Sequence, residues 1–492
     1  MRSLPRHETP RFHDHARVGM SETEQTLGVT VILDYGGNES TGRSMGRRWT
    51  AALLLFSSAC DGGDQPAPEY LDAEALLDPQ SCASCHPAQM REWSGSMHAY
   101  ASDDPVFLAL NARGQRETGG ELGNFCVQCH APMAVLSGAT TDGLNLQELP
   151  QHQKGITCYF CHSVDAVLGT HNNPLRLAND GVMRGGIPDP IAAAPHRSAY
   201  SPLHDRKNPA SADLCGSCHD VVTPAGVFLE RTYAEWQASL FAKPGRTTQL
   251  TCGQCHMEGR EGPASTVAGS PMRLLHDHAA PAVDVAMIPF PERETQRALV
   301  QNALDKSLLA SLCVRPLAGG VEAVLSLDNA FGGHAFTSGA AHNRRAWAEV
   351  VAYAGGQVIY ESGVIPQGQP VAASTDPDLW RIQEDAVDAQ GNKTYMFWDI
   401  ARTTNTLLPP AVTNDPTDPA FYHQVEKTYR IPNVIPDRIT VRVHIRPMDF
   451  DLIDTLVESG DLDPAIRSEL PTFTLRNTEV TWTPDRGFVC VP

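Results

Sequence analysis

Ten cysteines and five histidines of this chain fall into five copies of one short pattern, C-x-x-C-H, between Cys82 and His256. The copies are Cys82-x-x-Cys85-His86, Cys126-x-x-Cys129-His130, Cys158-x-x-Cys161-His162, Cys215-x-x-Cys218-His219 and Cys252-x-x-Cys255-His256. Two thiols three positions apart can form thioether bonds to the two vinyl groups of one porphyrin, and the adjoining His is then placed as an axial ligand of its iron. With 13 Cys and 19 His in 492 residues, chance would give roughly 0.01 such motifs per chain, so five are not accidental. C-x-x-C pairs also occur in zinc knuckles, but zinc needs four ligands and has no use for a His after every second Cys. The pattern therefore predicts five covalently bound haems c.

One His per motif leaves the other face of each iron to be filled. A second His makes an iron that only passes electrons, whereas an open face can bind a substrate. Sixteen His follow Cys60 and five belong to motifs, so eleven remain for five places. His98 lies 12 residues past His86 and is expected to cap a neighbouring haem rather than its own. At least one of His196 and His204, which flank S-A-Y-S-P, is expected to ligate. His278 follows His276 by two positions, so the pair cannot easily serve one iron. His334 sits in a Gly-bounded loop, Gly332-Gly333-His334, that can present it inward, and His171 completes the candidate ligands. His342, His423 and His444 fit exposed loop or strand positions. Met97, Met133 and Met257 are nearby thioether alternatives. Trp93, Tyr159, Phe160, Tyr233 and Trp236 suit packing against haem edges or ordinary core filling.

Few periodic elements are available to position these groups. Pro87 to Ala101 and Thr232 to Phe241 read as helices, the first with Pro in its opening turn. The rest of residues 69–312 is rich in Gly, Pro, Asn and Asp and reads as loops, because porphyrins rather than side chains would fill this interior. Glu294 to Leu312 reads as a linking helix closing the haem region. Residues 313–492 carry no further motif and turn to alternating or β-branched runs: Val321 to Leu327, Ala346 to Ala354, Val358 to Tyr360, Tyr395 to Ile400 and Ile439 to Ile445. Gly355-Gly356 and Gly391-Asn392 are hairpin-type turns. Short strands at this spacing predict an all-β, sandwich-like domain. Cys313 and Cys490 bracket it and can close it as a disulfide, the alternative being two buried thiols that never meet.

Composition bounds the setting. The chain has 38 Lys+Arg against 57 Asp+Glu, a formal charge of −19. That excludes a basic nucleic-acid surface and suits a redox partner with a basic docking face, or simply solubility. Haem attachment and a disulfide point outside the cytoplasm. Residues 45–60 run from a basic start (Met45-Gly46-Arg47-Arg48) through a short apolar core to Ser57-Ser58-Ala59-Cys60, the layout of a secretory signal. Cys60 is placed as the lipidated first residue of a lipoprotein, although Ser57 stands where Leu is usual; a plain cleaved signal is the alternative. Residues 1–44 are then an extension upstream of the true start, placed at Met45 with Met20 as the alternative, and residues 61–68 a flexible tether.

The motif segments also resemble a known family. C-A-S-C-H-P followed by E-W-S-G-S-M-H-A resembles the first haem segment of multihaem cytochromes c related to the tetrahaem electron carrier of nitrifying bacteria. G-I-T-C-Y-F-C-H, L-C-G-S-C-H-D, T-Y-A-E-W-Q-A-S-L and C-G-Q-C-H-M resemble its later segments. G-G-H-A-F-T-S-G followed by Arg344 or Arg345 resembles a G-H-x-x-P-T-G loop of its β-rich tail, with Thr337-Ser338 in place of Pro-Thr. The resemblance implies stacked haem pairs, mostly bis-His iron, and ligand roles for the motif His residues, His98 and His334. Nitrite reductases of the same superfamily carry a C-x-x-C-K site, and this chain has none.

Together these readings predict a pentahaem, lipoprotein-like c-type cytochrome of the periplasm or outer membrane face. It would relay electrons between redox partner proteins, or within a respiratory complex through its tail. The rival reading is an oxidoreductase of a small nitrogen or sulfur compound (hydroxylamine, nitrite or tetrathionate type) at one five-coordinate haem.

Overall fold

A computed structural model describes residues 70–191 and 194–492. The expected signal, lipidation site Cys60, tether and N-terminal extension lie outside the described residues.

Each C-x-x-C-H segment folds into about one helical turn. Gln80–Ala83, Val127–His130, Cys158–Ser163, Ala210–Gly216 and Cys252–His256 hold or border the five motifs. The i→i−4 bond that defines such a turn recurs from the motif His to the first Cys, at 2.8 Å for His86, 3.3 Å for His130 and 3.0 Å for His219. One turn suffices because residues three apart share a face, so both thiols of a motif point the same way. The turns are capped rather than propagated. Thr157 Oγ1 accepts from Phe160 N at 3.2 Å, and Thr251 with Gln254 forms a capping box around the fifth motif.

Longer elements differ from the sequence reading in three places. The helix expected over Pro87–Ala101 breaks into Pro87–Ser94 and Met97–Tyr100, because Ser96 leaves helical geometry to cap Ala99 N. A helix over Pro105–Glu117 replaces expected loop; it starts at an Asp104 cap followed by Pro in its first turn, a start signal legible in the sequence. The linking helix stops at Asp305, and Leu309–Leu317 is a strand, so the β-rich region begins a few residues before 313.

That region contains two larger antiparallel sheets and a two-stranded one, Glu384–Val387 with Arg402–Asn405. Of the larger two, one runs Val425–Ile431, Gly320–Asp328, Leu309–Leu317, Cys490–Val491; the other runs Gln357–Ser362, Arg345–Ala354, Arg438–Arg446, Phe473–Trp482, with Trp380–Ile382 also pairing Arg345–Ala354. Alternate residues of both sheets, such as Leu312, Leu325, Val350, Val443 and Leu475, enter one buried cluster, as period-2 patterning requires. Cys313 and Cys490 face each other in register and are joined, with sulfurs 1.98 Å apart. Tyr395–Ile400 is not a strand. Its apolar residues dock instead on two helices: Met396 packs with Val106 and Ala109 and with Phe450–Glu458, and Trp398 Nε1 donates to Glu117 at 3.1 Å. This seam fixes the β-rich region against the motif region. Among the described residues no helix is long and apolar enough to cross a membrane.

Candidate functional site

The motif histidines are aimed by their backbone-facing nitrogens. Nδ1 donates to a carbonyl in four motifs: His86 to Ala264 (2.8 Å), His130 to Ala101 (2.9 Å), His256 to Pro281 (2.8 Å) and His162 to Arg184. This fixes the tautomer and leaves Nε2 free as a ligand. Burial keeps the rings neutral, the form that binds metal: it pushes His162 down to about 3 and His219 to about 4, helped by neighbouring imidazoles.

Across from four of the five stands a second His ring. With each ligating nitrogen roughly 2 Å from a shared metal, imidazole centroids stand about 6 Å apart. The centroid distances are 6.1 Å for His86–His196, 6.3 Å for His219–His98 and 6.3 Å for His256–His334. His162 has two candidates, His204 at 5.6 Å and His278 at 6.4 Å. His278 anchors Nδ1 on His276 O at 2.9 Å and keeps Nε2 free, whereas His204 spends Nε2 on Cys161 O at 2.7 Å. Spacing and free nitrogen favour His278, leaving the buried, unpaired Nδ1 of His204 as the alternative donor. These gaps fit an iron between imidazoles, and the residues present fit haem c.

Distant segments deliver the opposing rings. Gly155, at φ +63°, lets the chain approach so closely that a Cβ there would meet His98 O at 2.6 Å, and Ile156 N bonds that same carbonyl at 2.9 Å. The T-Y-A-E-W helix grips the His334 loop: Glu235 accepts from Ala335 N (3.1 Å) and Ser338 Oγ (2.7 Å), and Thr232 Oγ1 accepts from Gly339 N (3.0 Å). Arg344 holds the end of this loop through Ser338 O (2.9 Å) while its guanidinium forks onto Asp284.

The second motif differs. His130 is stacked on Phe107 at 4.0 Å and 2°, and no described His ring opposes it at ligation distance. Phe107 was not singled out by sequence, since it lies in the helix read as loop. His171 is not brought to a motif His; its Nδ1 meets only the Thr170 hydroxyl beside it. Among the methionines, Met97 Sδ accepts from Gln296, Met133 lies in the core with Leu76, Tyr159 and Phe160, and the backbone carbonyl of Met257 accepts from Arg206. Trp93 and Trp236 are buried and donate to Ile156 O and Leu250 O. Tyr233 packs so tightly on Gly216 of the fourth motif that a Cβ would meet its ring at 2.2 Å. His342 and His444, expected at exposed positions, are both buried.

Cysteines of different motifs lie close enough to act on one another's ionisation, which gives the motifs a spatial order. Cys82 reaches Cys158, Cys129 reaches Cys218, and Cys215 reaches Cys252. Cys161 in turn senses Cys215 and Cys218. The series is first–third–fourth–fifth, with the second motif beside the fourth.

Comparison with known proteins agrees with this geometry. Residues 81–163 match the family model described as cytochrome c554 and c-prime. No curated protein matches the chain. Among solved structures, a penta-heme cytochrome c552 from Thermochromatium tepidum shares the fold at TM-score 0.56 and 20% identity, covering 83% of this chain and 98% of that one. With its C-x-x-C-H turns, facing imidazoles and this shared architecture, the chain has the fold of a multihaem cytochrome c.

Proposed function

We propose that the chain binds five haems c and carries electrons between redox partner proteins outside the cytoplasm. The carrying observation is the set of four motif His residues, each faced by a second His at 5.6–6.4 Å. Imidazole on both sides leaves an iron no position for substrate, so its remaining chemistry is one-electron transfer, tuned by burial and by the carbonyls that hold the rings. The series first–third–fourth–fifth makes the first and fifth motifs the natural points of exchange, and Cys255 of the fifth is exposed. The acidic balance supports a partner with a basic face. Lipid anchoring through Cys60 rests on the sequence pattern alone. The two sheets around one core are read as a sandwich that closes the fifth site with His334. A potentiometric titration followed in the visible bands tests the carrier reading: reversible uptake of five electrons per chain supports it, and uptake of fewer contradicts it.

A second reading is favoured by one observation: among the described residues no second His ring stands at ligation distance from His130, whose ring face is covered by Phe107. It makes the second site five-coordinate and open to a small nitrogen or sulfur compound. Its test is a high-spin ferric signal that changes on adding hydroxylamine, nitrite or tetrathionate; a silent signal contradicts it.

A further inference from the structure

The short helix Thr232–Ala238 lies between the fourth and fifth motifs in the chain and is bonded to both. Tyr233 N donates to the carbonyl of His219 at 3.1 Å, and the Tyr233 ring fills the space beside Gly216. Trp236 Nε1 donates to Leu250 O at 2.9 Å, and Cys252 of the fifth motif packs against the same two aromatics. Thr232 and Glu235, three positions apart and so neighbours on the helix surface, are both spent on the loop that presents His334.

That loop has little stiffness of its own, because Gly332 and Gly333 precede the ligand and a glycine has the most freedom to lose. Close approach calls for both. A Cβ on Gly332 would meet Asn329 Oδ1 at 2.2 Å, and one on Gly333 would stand 3.3 Å from Trp236 Cδ1. The His334 ring is oriented by its own neighbour, since Nδ1 donates to Ala335 O at 3.0 Å. Ala335 is held in turn by Glu235, whose Oε2 accepts from Ala335 N at 3.1 Å and from Ser338 Oγ at 2.7 Å. Arg344 acts at the far end of the loop, through Ser338 O at 2.9 Å. A carboxylate acceptor makes bonds roughly twice as strong as a neutral one.

Resting on the reading of His334 as the distal ligand of the fifth haem, we propose that Glu235 is the positioning residue for that ligand. Its carboxylate holds Ala335 and Ser338, and so keeps the His334 ring 6.3 Å from His256, with room for an iron between them. Because Glu235 acts through Ala335, its loss loosens the ligand without removing it.

The test uses the reduced full-length holoprotein and carbon monoxide, which is uncharged and binds ferrous haem only where the distal face is free. Binding is read in the Soret band. His334→Ala is expected to take one more carbon monoxide per chain than the wild type. Glu235→Ala, with His334 still present, is expected to raise affinity at that same haem by about tenfold over the wild type. Glu235→Gln keeps an acceptor oxygen and returns the affinity to within about threefold of wild type. The double variant Glu235→Ala with His334→Ala should match His334→Ala alone, as a residue acting only through the ligand requires. If His334→Ala gains no carbon monoxide site, the ligand reading falls and this role with it. If that site appears but Glu235→Ala binds like the wild type, the positioning role alone is overturned. Should Glu235→Ala not fold, Ser338→Ala replaces it and is expected to raise the affinity in the same direction; an unchanged affinity there is equally contradictory.

Discussion

His98 reaches the fourth motif from the first segment, 6.3 Å from His219, so its loss should uncover one iron only. His98→Ala is expected to convert one low-spin ferric equivalent to high-spin, read by electron paramagnetic resonance; an unchanged spectrum would remove it from the ligand set. At the third motif, His278→Ala should do the same and His204→Ala should not. The reverse result would assign the ligand to the Nδ1 of His204. Glu384 gives a pH dependence whose sign is fixed by its environment. Burial raises it from 4.5 to about 7, so folding favours the protonated form. Its stabilising contribution is full below the unfolded value and is lost as pH rises through 7. Glu384→Gln should therefore raise Tm by roughly 2–4 °C at about pH 8 and change it little at about pH 5. Sequence made the motif residues readable because their spacing is itself the chemistry. It left the opposing rings less readable, since His98, His196, His278 and His334 gain their roles from contacts far along the chain.

Strands and turns with strong period-2 patterning were legible, and so was the Cys313–Cys490 pair, whose partners border the region they join. Two elements were not. Tyr395–Ile400 alternates like a strand but uses its apolar side chains to dock on helices, and Pro105–Glu117 was hidden among haem-region loops despite its Asp-Pro start. Removing the disulfide by Cys313→Ser with Cys490→Ser frees a loop of 177 residues. The expected loss is about 2–5 kcal/mol, seen as a lower denaturation midpoint with the haem bands unchanged at the start of the titration. Arg446 and Asp449 are paired at 2.7 Å with both side chains buried. Asp449 also accepts from Val371 N at 2.8 Å. Asp449→Ala strands the guanidinium, and chemical denaturation should register a loss of about 3–5 kcal/mol; a neutral effect would mean that solvent reaches Arg446.

For the molecule as a whole, the C-x-x-C-H pattern made the haem c chemistry readable, but not the order of the sites in space. That order depends on which turns fold against each other, and it places the second motif beside the fourth rather than within the main series. The centre of the account is that imidazoles from separate segments meet in pairs around a metal-sized gap. Spin quantitation by low-temperature electron paramagnetic resonance of the fully oxidised holoprotein tests this most directly. Four low-spin ferric equivalents per chain, with the remainder high-spin, are the predicted result. A spectrum dominated by high-spin iron, or one without ferric haem, would contradict it.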